Sequence, residues 1–284
     1  MSGRDRTLCW RWLRAFARRR DSASPGAAPD AGGSTDTVVF RCNICGAACR
    51  VAPALLSRET RSCATCGSTV RMRAIVHLLT SELFGRSIAL PELPHRPDLV
   101  GIGLSDSPAY AVPLARKLGY TNTYFHAEPR LDIADVPAHR AGEADFIVAS
   151  DVFEHVAPPV ARAFANARRL LKPHGVLIFS VPFSLDADTI EHFPALHDYR
   201  LIETGGAWRL ENRTSDGRIE IFTDLVFHGG PGTTLEMRLF SRAGLEREFA
   251  AAGFSRVRIA DEPFAEHGIG WPEPWSVPMV AYAS

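Results

Sequence analysis

Two pairs of cysteines, Cys42-Asn-Ile-Cys45-Gly46 and Cys63-Ala-Thr-Cys66-Gly67, stand seventeen residues apart. Each Cys-x-x-Cys-Gly is a tight knuckle that turns two thiolates toward one point, and two knuckles supply the closed tetrahedral shell that Zn2+ prefers. Cys42, Cys45, Cys63 and Cys66 are therefore the expected ligands of a structural zinc, which with no open coordination position does no chemistry itself. Cys9 and Cys49 are left over. Two disulfides are the alternative, and they require an oxidising compartment that the sequence does not indicate. A second group of residues suits proton transfer: His155, His192 and His228 carry imidazoles poised near pH 7. His192 is the first candidate for a general base, with His155 and His228 behind it, and each also has a plain reading as a packing residue. The third group is of small or acidic residues that follow apolar runs. These are Gly101, Gly103, Ser105 and Asp106 in LVGIGLSD, Glu128 closing TYFHAE, Asp132 with Ile133, and Ser150 with Asp151.

The elements that must position these groups are clearest over residues 144–183. Phe146 to Ala149 is a short apolar run closed by Ser150 and Asp151, as in a strand buried on both faces. Asp151 and Glu154 stand in capping-box spacing, and Val160, Phe164, Ala167 and Leu171 recur at helical intervals, which predicts a helix that Pro173 and Gly175 stop. Val176 to Val181 is a second strand of the same type, so the unit is a parallel crossover. Ligands of such sheets sit beyond the carboxyl ends of the strands, here Ser150 to His155 and Pro182 onward. Upstream, Val70 to Phe84 puts Met72, Ile75, Val76, Leu79 and Leu83 on one helical face, and Gly85 ends it. Leu99 to Leu104 reads as a strand, Tyr110 to Leu118 as a helix and Thr121 to His126 as a strand. Residues 184–235 far exceed an ordinary connection and are expected to form a lid or substrate pocket. Within them Ile219 to Phe227 reads as a hairpin arm turned by Gly229-Gly230-Pro231-Gly232. Ser241 is the expected cap of a helix over Leu245 to Ala252, followed by a strand over Phe254 to Ala260 and a last antiparallel strand within Pro278 to Ala283.

Asp145 entering a strand, Glu154-His155-Val156 leaving it, and Leu170-Leu171-Lys172-Pro173-His174-Gly175 before the next strand resemble the fourth and fifth strands of class I S-adenosylmethionine-dependent methyltransferases. CNICG and SCATCGSTVRMRAI ahead of such a domain resemble bacterial methyltransferases with an N-terminal zinc ribbon. The resemblance implies an α/β, Rossmann-like, doubly wound and mostly parallel sheet with a small N-terminal zinc ribbon, and S-adenosyl-L-methionine as cofactor. His174 departs from the family, which has glycine there, and so does the segment after strand one, where the family has Gly-x-Gly-x-Gly. Two registers stay open. In the first, Gly101, Gly103, Ser105 and Asp106 form a degenerate turn and Glu128 is the acid that binds the cofactor's ribose. In the second, LVGIGLSD is strand two, Asp106 takes the ribose role, and only Ser87 to Leu90 remains for strand one. Asp132 and Ile133 resemble the segment that touches the adenine, and Ser150 and Asp151 lie on the cofactor's edge of the sheet. The acceptor this implies is a small polar molecule, a sugar or surface-glycan hydroxyl, with a histidine as its base. An RNA methyltransferase that uses the ribbon as a clamp, and a non-catalytic binding module, are the alternatives.

The chain has 284 residues, of which 46% are hydrophobic, in keeping with a globular protein with a sizeable core. Its 32 basic and 32 acidic residues balance, which argues against a large polyanion-binding face. Thirty of the basic residues are Arg, a bias that suits planar recognition of carboxylate or phosphate and that coding composition also explains. The expected organisation is a disordered basic tail and linker over 1–36, a zinc ribbon over 37–70, and a methyltransferase domain over 71–284 with its insertion at 184–235. Seven Arg interleaved with Leu8, Trp10, Trp12, Leu13 and Phe16 make residues 1–20 a candidate for peripheral contact with an anionic membrane surface or a partner, or else a frayed tail. No run reaches the length of a transmembrane helix and no cleavable signal pattern is present, so a cytoplasmic, reducing setting is expected.

Overall fold

The computed structural model describes residues 37–284, and the expectations for the basic segment, the linker and Cys9 lie outside the described residues. The described chain divides into two compact units, one of residues 37–190 with 239–284 and one of residues 191–238.

The larger unit is built on a six-stranded sheet. Its strands are β3 (Arg96–Leu104), β4 (Leu118–Thr123), β5 (Ala144–Ser150), β6 (Leu171–Ser180), β7 (Phe254–Ile259) and β8 (Met279–Ala283), after a hairpin of β1 (Val38–Arg41) and β2 (Ala48–Val51) that belongs to the cysteine module. The order across the sheet is β7-β8-β6-β5-β3-β4. The four strands β4, β3, β5 and β6 run parallel, while β8 is antiparallel to both its neighbours. Alternation of side chains along the strands loads both faces. Ile147 and Ala149 join a core with Phe164 and Phe249, whereas Phe146 and Val148 join one with Leu78, Tyr110 and Leu114. The helices that supply these layers are α1 (Val70–Phe84), α2 (Pro108–Ala115), α3 (Ala161–Leu170) and α4 (Arg242–Ala251). Phe153, Phe179 and Phe249 meet Phe164 or one another edge to face at 4.9 to 5.2 Å, the arrangement that ring quadrupoles favour.

Helix α1 has the span its periodicity predicts, with Thr69 accepting from the Met72 N–H at the start and Gly85 left-handed at the end. Arg73 on this helix is fully buried, and its guanidinium donates to Ser62 Oγ, the Ser68 carbonyl and the carbonyls of His267 and Gly268 while lying 4.5 Å over Phe40. One side chain thus ties the cysteine module to the segment before β8. Elsewhere the elements shift from expectation. Helix α2 ends at Ala115 and β4 begins at Leu118, because the Gly119-Tyr120 stretch pairs with β3. Asp151 and Glu154 do not form a capping box: a short 3-10 turn, Phe153–His155, intervenes, and α3 starts after Val160 with no side-chain cap. His174 takes a left-handed φ of 64°, the conformation for which glycine is the unstrained choice.

The smaller unit holds a three-stranded antiparallel meander of Asp198–Thr204, Ala207–Arg213 and Ile219–Phe222 and a short hairpin of Phe227–His228 with Thr234–Leu235. Ile219–Phe222 therefore belongs to the meander, and only Phe227–His228 forms the hairpin arm turned by the glycine cluster. Phe193, Leu210, Leu235 and Met237 are its core.

Candidate active site

Strand β3 lies between β4 and β5 and is parallel to both, the place of strand one in the first of the two registers. Ser87 to Leu90, which the second register needs as a strand, leads instead into a 3-10 turn, Leu90–Glu92. Gly101 and Gly103 are inside β3, not in the turn after it. A Cβ on Gly101 would sit 2.1 Å from the Phe146 ring, and one on Gly103 would sit 1.9 Å from Tyr120 Oη. These glycines make room for two large neighbours. The turn proper is Ser105, at a left-handed φ of 56°, and it is held by its N–H to the Thr123 carbonyl at 2.8 Å. Asn122 clamps the next residue, accepting from the Asp106 N–H and donating to its carbonyl, both at 2.9 Å.

The Asp106 carboxylate points inward. It is 3% exposed and accepts from Tyr110 Oη at 2.7 Å and Tyr120 Oη at 2.6 Å. Burial pushes its carboxyl up to about 7 against the lowering effect of the two phenols. Glu128, in contrast, is exposed beyond β4, with one carboxylate oxygen accepting the Arg130 N–H at 3.0 Å. Asp132 caps its own turn through the Ala134 N–H at 2.9 Å, and Ile133 is buried in the core with Val136 and Phe164. Of these residues, Glu128 keeps an exposed carboxylate, whereas Asp106 and Ile133 are buried.

At the ends of β5 and β6 the rim is fixed by two arginines. Ser150 Oγ and Ser180 Oγ are 2.9 Å apart, and Arg71 donates to Ser150 at 2.7 Å. Arg58 reaches Asp151 with both terminal nitrogens, at 2.5 and 3.1 Å, and the Ser276 carbonyl at 3.4 Å. Arg71 holds Glu59 bidentately at 2.8 and 2.9 Å and comes within 3.4 Å of Asp151. Burial raises the Glu59 carboxyl, but the charges of Arg58 and Arg71 outweigh it and the net direction is down. The four side chains form a charge-balanced cluster, with Arg58 8% and Arg71 14% exposed. Arg71 stands in the SCATCGSTVRMRAI run without a role assigned to it there, and Arg58-Glu59 lies between the cysteine pairs, where only the tertiary fold reveals its partner.

His155 sits in the 3-10 turn, 3.6 Å from the buried Glu154. In the smaller unit, His192 and His228 are brought together through a residue that no motif marks. Glu236 receives His192 Nε2 at 2.9 Å on one oxygen and His228 Nε2 at 2.8 Å on the other. Burial pushes the Glu236 carboxyl up, yet the two imidazoles prevail and hold it at about 2. An ionised carboxylate only accepts, so both rings donate to it from Nε2. The signal in the sequence is an acid between Leu235 and Met237, just across the glycine turn from His228.

The four expected metal ligands converge: the sulfurs of Cys42, Cys45, Cys63 and Cys66 all lie within 4.8 Å of one another. Cys42 and Cys66 are 3.7 Å apart and Cys45 and Cys63 3.6 Å apart. A tetrahedral site with bonds of about 2.3 Å has sulfur–sulfur edges of roughly 3.8 Å, whereas a disulfide closes to about 2.05 Å. The donor set and its spacing fit a four-thiolate zinc.

Residues 85–259, more than half of the chain, match the methyltransferase domain family. The chain belongs to that family. It is an enzyme, an S-adenosylmethionine-dependent methyltransferase. No curated protein matches the methyltransferase in sequence. Solved structures similar to it include a Burkholderia thailandensis 1,6-didemethyltoxoflavin-N1-methyltransferase, 17% identical over 75% of this chain and 78% of that one, with a TM-score of 0.43. An S-adenosylmethionine-dependent methyltransferase from Mesorhizobium loti is 15% identical over 68% and 95% of the two chains, with a TM-score of 0.41. An amino pentose methyltransferase from Micromonospora echinaspora is 17% identical over 67% and 86%, with a TM-score of 0.37. Among the described residues of the methyltransferase, no helix is long and apolar enough to cross a membrane.

Proposed function

We propose that this methyltransferase alkylates a hydroxyl of a small polar acceptor, a sugar or surface glycan, and that a histidine takes the acceptor's proton. The observation that carries the reading is the pair of imidazoles, His192 and His228, on one ionised carboxylate. An alcohol is a poor nucleophile until its proton leaves, so the O–CH3 bond forms as the proton passes to imidazole nitrogen and the sulfonium–methyl bond breaks. Glu236 fixes the tautomer and stabilises the imidazolium that results, as a carboxylate behind a histidine does. His192 is the first choice of base, with His228 and His155 behind it.

Bound S-adenosylmethionine supplies the activated methyl, and the protein supplies orientation. Glu128 is the residue assigned to the ribose, and Ser105, Ser150 and Asp151 line the same ends of the strands. The cysteine module is assigned a structural zinc on Cys42, Cys45, Cys63 and Cys66. A role as an RNA clamp finds little support, because Arg58, Arg71 and Arg73 in and beside the module are buried in contacts of their own. Isotope-labelled donor incubated with a panel of glycosides, flavin-like amines and short RNAs tests the acceptor class, and methylation confined to RNA would overturn it. Single-turnover transfer by His192→Ala, His228→Ala and His155→Ala tests the base. The expected loss at the true base is on the order of 100-fold, and three fully active variants would remove histidine base catalysis.

A further inference from the structure

We propose that Arg58 is a positioning residue for the methyl donor, and that the cysteine module is thereby a structural part of the donor site. The proposal rests on the reading above that the donor binds at the carboxyl ends of β3, β4 and β5. Asp151 is the first residue past β5 and stands at a left-handed φ of 57°, which costs a residue with a side chain about 1 kcal/mol or more. Its N–H is spent on the Ser180 carbonyl at 2.7 Å, and its carboxylate is gripped by the Arg58 fork. The turn at the rim is therefore held from two sides, and one of them is the module.

Arg58 has no helix or strand of its own to fix it. The segment around it is irregular: the Arg58 carbonyl accepts the Arg71 N–H of α1 at 3.3 Å, and a few residues on it enters the second knuckle, where the Ser62 and Cys63 N–H groups both reach the Ser68 carbonyl at 3.0 and 3.3 Å. Ser62 in turn receives Arg73, and only residues 59–61 separate it along the chain from Arg58, which holds Asp151. A buried ion-pair cluster adds little stability over apolar residues of the same size, so stability alone is a weak reason to keep two arginines and two acids here. Their position at the ligand end of the two central strands suits them to preset the shape and charge of the rim that meets a cationic, zwitterionic donor.

The test is calorimetric binding of S-adenosylhomocysteine and S-adenosylmethionine kinetics on the full chain, with thermal midpoints alongside. Arg58→Met is expected to weaken S-adenosylhomocysteine on the order of tenfold and to raise KM for the donor by the same factor, with kcat changed much less. Arg58→Lys, which keeps charge but loses the fork, should recover part of that loss. Cys63→Ser should weaken S-adenosylhomocysteine in the same way while the acceptor KM stays fixed. Wild-type affinity in Arg58→Met, or equal losses in Met and Lys that simply follow the thermal midpoint, would overturn the positioning role. Wild-type affinity in folded Cys63→Ser would detach the module from the site. Failure of the unmodified chain to bind S-adenosylhomocysteine would instead overturn the assignment of the donor to this rim, and the proposal with it.

Discussion

Asp106 and Glu236 are both buried carboxylates that accept hydrogen bonds from two ring-bearing side chains, and they end in opposite states. Asp106 is surrounded by phenols, which donate hydrogen bonds but bring no charge, and burial wins, lifting it to about 7. Glu236 is surrounded by imidazoles, which can carry the balancing proton, and burial loses, leaving it at about 2. The partner's capacity for charge decides the outcome, and depth does not. The difference separates two kinds of work. Asp106 knits β3, α2 and β4 together behind the rim, whereas Glu236 holds two titratable rings ready in one tautomer.

The harshest test of the Asp106 side is Gly103→Ala, whose Cβ would meet Tyr120 Oη at 1.9 Å and Asp106 Oδ2 at 2.5 Å. It should cost about 3 kcal/mol by urea denaturation, since backbone and buried aromatics must shift together. A loss below roughly 1 kcal/mol would mean that the cluster is loosely packed. Glu236→Gln should cost about 2–3 kcal/mol at pH 7, the worth of hydrogen bonds to a charged acceptor. The folded value near 2 lies below the unfolded 4.5, so this stabilisation is complete above pH 4.5 and is lost as the pH falls toward 2. The gap between wild type and Gln must therefore narrow across that window, and a constant gap would contradict an ionised Glu236. Asp106 has the opposite sign: its folded value near 7 lies above the unfolded 3.8, so its contribution is complete below pH 3.8 and is lost as the pH rises through 7. Asp106→Asn, which does not titrate, should gain on wild type as the pH rises from 4 to 7. The slope is on the order of 1 kcal/mol per pH unit, and parallel pH profiles would show that Asp106 stays ionised.

Helix α1 is readable to the residue because its apolar stripe and the closing Gly85 are local signals, and the structure adds Thr69 as its cap. The centres of β5 and β6 are legible too, but β5 runs Ala144–Ser150 and β6 already begins at Leu171, which the helical spacing assigns to the helix; the thiols of the two cysteine pairs meet as their spacing predicts. The glycines of β3 mislead for a physical reason. In sequence, Gly101 and Gly103 look like a turn, and only the Phe146 and Tyr120 side chains arriving from neighbouring strands explain why they are small. Asp151 looks like a helix cap because its spacing to Glu154 is right, but a guanidinium 93 residues earlier in the chain takes it instead. Glu236 is marked locally only by its place across the glycine turn from His228, and its second partner, His192, lies 44 residues away.

Taken alone, the amino-acid order determined what depends on neighbours along the chain: helix and strand periodicity, the knuckles and the parallel crossover, while Glu154-His155-Val156 and Leu170 to Gly175 carried the resemblance to methyltransferases. The tertiary structure decided which acid is charged, which glycine is a spacer and which arginine reaches the rim. Backbone propensity acts over a few residues, whereas electrostatic pairing and burial depend on groups that become neighbours only after the chain has folded.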